Sequence, residues 1–165
     1  MNRLDIEQVN RRSPYYVQAV SDMEYIFDTD FGVSYQVGFI NDESIWETGA
    51  YQFYIINANL KSSPNDPKLK DVILRVIDEF FEQNPDILLY VCETGDDKQA
   101  ARNRLFARWF RETEQATKYY FNNVEIDADG IENYAAIIVQ KSNPELDEII
   151  HKFNEVVETL QNKPQ

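Results

Sequence analysis

Between Tyr90 and Phe110 the sequence reads YVCETGDDKQAARNRLFARWF, and this stretch gathers most of the residue types that could do chemistry. Glu93, Asp96 and Asp97 follow directly on the apolar run Ile87–Cys92, where an α/β sheet would place them at the carboxyl end of a strand. Carboxylates so placed could hold a magnesium ion or act as a general base, with Arg102 gripping an anionic group of a substrate. That is the layout of a metal-assisted hydrolase or transferase. A thiolate nucleophile at Cys92 is a poorer proposition, because the neighbouring acids raise a thiol pKa and repel phosphate. Asp96 also has a plainer role: with Gln99 three residues on, it has the spacing of a helix capping box.

The helix that such a cap would start carries Lys98, Arg102, Arg104, Arg108 and Arg111 and no acid as far as Arg111. At about 100° per residue, Leu105, Phe106, Trp109 and Phe110 fall within a sector of about 140°, which predicts a buried stripe. Arg104, Arg108 and Arg111 fall nearly opposite and make a candidate binding surface. Arg102 falls inside the apolar sector, so it is expected to be a buried charge paired with a carboxylate, Glu93 first among the candidates.

The chain's formal charge is -13, and residues 98–111 contribute +5, leaving -18 elsewhere. An acidic body of that kind repels phosphate backbones and anionic lipid, which argues against nucleic-acid and membrane partners. One cysteine and one histidine, Cys92 and His151, cannot supply a structural zinc set, and no metal or other cofactor is expected. DADGIE, Asp127 to Glu132, has the look of a calcium-loop fragment but reads better as a hairpin turn. No segment has the apolar length of a signal peptide or a membrane span, so the expected location is the cytoplasm.

With 43% hydrophobic against 27% charged residues, the 165-residue chain has the composition of a folded domain rather than a disordered one. A single domain over 1–165 is expected, with residues 1–13 and 162–165 as flexible termini. Tyr25 and Phe27 alternate before Thr29-Asp30-Phe31-Gly32, and Val33, Tyr35, Val37 and Phe39 alternate after it, which predicts a β-hairpin. The segment from Tyr15 to Val20 fits either an edge strand or a short helix started at Ser13-Pro14, with the strand favoured, and Tyr51 to Leu60 holds a further strand. Asp66-Pro67 is a cap followed by a first-turn proline, and Leu69, Val72, Ile73, Val76, Ile77 and Phe80 repeat at helical spacing after it. Strands are predicted near Ile87–Cys92, Val124–Ile126 and Tyr134–Val139, and a last helix capped at Asn143 carries Leu146, Ile149, Phe153, Val157 and Leu160. The sum is an α+β fold: a mostly antiparallel sheet of about six strands with three helices packed against it.

Tyr90, Cys92, Glu93, Asp96, Lys98, Gln99, Arg102, Leu105, Phe106, Arg108, Trp109 and Phe110, with the hairpin FDTDFGVSYQVGF and the helix start DPKLKDVI, resemble the signature of an uncharacterised family of small acidic bacterial proteins from Bacteroidetes. The resemblance runs from about Tyr15 to Phe153, with Glu93 and Asp97 departing from the usual aspartate and glycine. It implies no activity. The leading expectation is therefore a non-enzymatic, cytoplasmic protein-protein interaction module. Either its arginine face holds an acidic partner or its acidic body covers a basic effector, as an immunity protein does. The rival is the metal-assisted enzyme with Glu93, Asp96, Asp97 and Arg102.

Overall fold

A computed structural model of the chain describes residues 1–92, 99–128 and 131–162. They form two compact units, one of Met1–Ile40 with Phe53–Pro85, the other of Asn41–Gln52 with Asp86–Gln165. The fold is α+β with mostly antiparallel strands, and the described residues hold seven strands and five helices rather than six and three. The two additional helices, Ile6–Arg12 and Gln115–Lys118, are too short to show a clear period.

In the first unit, β1 (Gln18–Ala19), β2 (Glu24–Asp28) and β3 (Ser34–Asn41) pair antiparallel in sequence. The β2–β3 turn closes with Gly32 donating to Thr29 O at 3.1 Å and Thr29 donating to Val33 O at 2.9 Å. Gly32 sits at φ 73°, which glycine adopts without the clash a Cβ would bring. Alternation then puts Tyr25, Phe27, Tyr35, Val37 and Phe39 on one buried face. Helix α2 (Pro67–Gln83) packs on it, with Phe80 stacked on Phe39 at 4.9 Å. Its start follows the local chemistry: the Asp66 side chain accepts from Lys68 N, and Pro67 occupies the first turn, where its missing N–H is harmless. Residues 1–13, expected as a loose terminus, instead hold α1 (Ile6–Arg12). Leu4 and Val9 are buried, and Asn84 on α2's cap accepts from Asn2 N at 2.7 Å. The edge strand expected over Tyr15–Val20 shrinks to β1.

β4 (Ala50–Asn57) runs from the second unit into the first. The second unit is built on β5 (Ile87–Cys92), β7 (Ile131–Gln140) and β6 (Tyr119–Ala128), with β7 between the other two and antiparallel to both. Helix α5 (Leu146–Gln161) covers one face, burying Ile149, Phe153 and Val157 against Ile87, Leu89, Ile137 and Val139. Its cap is Glu145, not Asn143; the Asn143 side chain instead accepts from Glu145 N at 2.8 Å. The opposite face carries Tyr90 and Phe121, alternating with Leu89 and Tyr120, and receives α3 (Gln99–Arg111). A one-turn helix, α4 (Gln115–Lys118), leads into β6. No helix among the described residues is long and apolar enough to cross a membrane.

Candidate functional site

Helix α3 is held by aromatic contacts. Phe106 stacks on Tyr90 with ring centroids 4.2 Å apart, and Phe110 lies over Phe121 at 5.0 Å with only 3° between ring planes. Asn103, Phe106, Ala107 and Phe110 are buried, and Trp109 is half-buried. Leu105 is 45% exposed, so it does not belong to the buried stripe expected of it. The buried face is centred about 80° round the helix from the expected one. The cause is the sequence's two adjacent apolar pairs, Leu105-Phe106 and Trp109-Phe110, of which the core takes the second member more fully and completes its stripe with small Ala107 and polar Asn103.

Arg104, Arg108 and Arg111 are all exposed. Arg111 donates to the Asn123 side chain at 3.1 Å, across to β6. Among the described residues no carboxylate forms an ion pair with any of the three, in contrast to Lys68, whose ammonium meets Asp30 at 2.8 Å. Arg108 and Arg111 lie in the last turn, where the helix dipole favours a cation. Arg104 has no such support. It stands one turn from Arg108, a like-charge spacing that destabilises a helix by about 0.2–0.5 kcal/mol. Exposed Leu105 lies beside Arg104 and Arg108, so the outer face combines cations with an apolar side chain.

Glu93, Asp96, Asp97, Lys98 and the Arg102 side chain, which carry the metal-assisted reading and the Arg102–Glu93 pair, lie outside the described residues, as does the tip of the Asp127–Glu132 turn. Among the described residues no group of three His, Cys, Asp or Glu side chains is placed to hold a metal ion. His151 is exposed, off the buried stripe of α5, with Nε2 3.0 Å from Glu155.

A second titratable feature of this unit escaped the sequence reading. Asp86, just before β5, has its carboxyl raised above the ordinary value by burial, and Tyr51 is raised by burial and then by the Asp86 charge. An acid whose folded pKa is raised binds its proton more tightly folded than unfolded. It stabilises the fold at low pH and loses that contribution as pH climbs from the ordinary carboxylate range through the raised value. Asp86→Asn is expected to raise the urea midpoint at pH 7 and to leave it nearly unchanged at pH 3; a lower midpoint at pH 7 would refute the burial penalty.

Residues 65–155 match the model of a family of unknown function, DUF6169. The chain belongs to that family. The matched stretch of this DUF6169 protein takes in α2, the three strands of the second unit, α3, and most of α5, and leaves out the β2–β3 hairpin. No curated protein matches its sequence. Among solved structures it is similar to a probable acetyltransferase of the GNAT family from Chromobacterium violaceum, at 11% identity and a TM-score of 0.38, over 72% of this chain. The match spans 57% of that protein's length, under two thirds of it.

Proposed function

We propose that this DUF6169 protein is a non-enzymatic, cytoplasmic protein-protein interaction module whose contact surface is the outer face of α3. Arg104, Arg108 and Arg111 would engage an acidic surface of another protein, with Leu105 as the apolar contact among them. The observation that carries this reading is the combination of exposure and lack of a carboxylate partner among the described residues: three arginines on one helix face, in a protein of charge -13, none neutralised there. The repulsion between Arg104 and Arg108 is relieved when a carboxylate arrives, and guanidinium groups give bidentate contacts that a solvated face does not need.

Affinity capture on the tagged chain at rising salt tests the proposal. Acidic proteins should be retained at low ionic strength and released between about 0.1 and 0.5 M salt, as screening shortens the range of the charges. Retention of nothing at low salt, or only of basic proteins, would sink it. If the face serves a partner and not the fold, Arg104→Ala and Arg108→Ala should each shift the unfolding free energy by no more than about 0.5 kcal/mol. A loss of about 2 kcal/mol at either would make that arginine structural.

A further inference from the structure

The last strand in the sheet order is β6, ten residues long, which pairs with β7 on one side only. Its hydrogen-bonding parity can be read from one bond beyond its end. Lys141 N donates to Lys118 O at 2.9 Å, in the same register that sets Tyr119 opposite Gln140. Lys118, Tyr120, Asn122 and Val124 therefore exchange main-chain bonds with β7. The N–H and C=O groups of Phe121, Asn123 and Glu125 point outward. A contact from the outside agrees: the Gln161 side chain, at the end of α5, donates to Glu125 O at 3.0 Å. Tyr119–Ala128 contains neither lysine nor proline, two residues that commonly blunt an open edge, and its charged side chains are Glu125 and Asp127.

We propose that this edge is a self-association strand, on which β6 of a second copy pairs antiparallel, centred on Asn123. An antiparallel pair of identical strands is its own complement, so a two-fold axis satisfies the outward groups of both copies at once, with the Phe121 N–H of each copy taking the place of the Gln161 amide on Glu125 O of the other. The side-chain pattern favours a second copy over an unrelated peptide. Asn123 and Glu125 share the α3 face of the sheet with Phe121. Centring on Asn123 sets Phe121 of one copy opposite Glu125 of the other. Arg111, already bonded to Asn123, then comes beside the second copy's Glu125. Glu125 is exposed, and neither it nor Arg111 has an ion-pair partner among the described residues. The symmetric contact supplies each with one, twice over. Arg111 belongs to both proposed surfaces, whereas Arg104 and Arg108 belong only to the acidic-partner face and Asn123 and Glu125 only to this one, so variants at those four residues test the two proposals separately.

Sedimentation of the full chain from about 1 to 100 µM is the test, a range that covers an ordinary reversible dimer. The wild type should dimerise. Asn123→Pro removes an outward N–H and no β7 bond, and should weaken dimerisation at least about tenfold with unchanged circular dichroism. Asn123→Lys, which leaves the main chain alone, should do the same and decides the matter if the proline variant does not fold. Glu125→Arg should weaken the dimer by setting it against Arg111, and Glu125→Arg with Arg111→Glu should restore it. A wild type that remains monomeric throughout overturns the proposal, even if it binds an added extended peptide. So does a dimer unmoved by Asn123→Lys and by the charge swap.

Discussion

Phe106→Ala should destabilise the protein by about 3–5 kcal/mol, the range for removing a fully buried phenylalanine. Phe106 is 2% exposed and its ring meets four others: Tyr90 at 4.2 Å, Phe110 at 5.2 Å, Trp109 at 5.9 Å and Phe121 at 6.2 Å. Truncation leaves a cavity lined by rigid rings that cannot collapse into it, and it forfeits contacts that bring about 0.5–1.5 kcal/mol per aromatic pair beyond burial. Against a domain stability of about 5–15 kcal/mol this is a severe loss. Leu105→Ala, one residue away, should cost under about 1 kcal/mol because the side chain is nearly half exposed. Urea unfolding of the pair settles the helix phase: comparable losses at both positions would return Leu105 to the core and contradict the observed packing.

That contrast also shows where the sequence was legible. The β2–β3 hairpin could be read because period-two alternation and a glycine turn agree, and α2 because Asp66-Pro67 and a clean helical repeat agree. Agreement between levels is what makes a local reading safe. In α3 the levels conflict: four large apolar residues in two adjacent pairs span too wide a sector, and only tertiary contacts to Tyr90 and Phe121 choose among them. β6 was foreseen only near Val124–Ile126, since Tyr-Tyr-Phe-Asn-Asn shows no alternation, yet the strand begins at Tyr119. Its pairing is dictated by β7, a non-local partner invisible to a window. α1 and α4 are too short to carry a clear period. For the arginines the phase error is harmless, because Arg104, Arg108 and Arg111 lie on the exposed side of the helix under either phase.

Reversal of that face gives the largest expected effect on binding. Arg104→Glu with Arg108→Glu should weaken capture of an acidic partner at least about a hundredfold, since each reversal replaces an attraction by a repulsion, and like charges facing across an interface cost several kcal/mol. The fold should survive. Both side chains are exposed, and the expected penalty is the dipole term at Arg108, about 0.3–1 kcal/mol for a glutamate in the last turn. Keeping Arg111 preserves its bond to Asn123, so a change in partner capture can be separated from a change in self-association. Adding Arg111→Glu should lower capture further while also weakening the β6 contact. Arg104→Lys with Arg108→Lys supplies the intermediate case, with charge retained and the planar fork lost, and should weaken capture only several-fold. A double reversal that unfolds at the wild-type urea concentration and still retains the same proteins at the same salt would show that α3's outer face is only the solvated side of a well-packed helix.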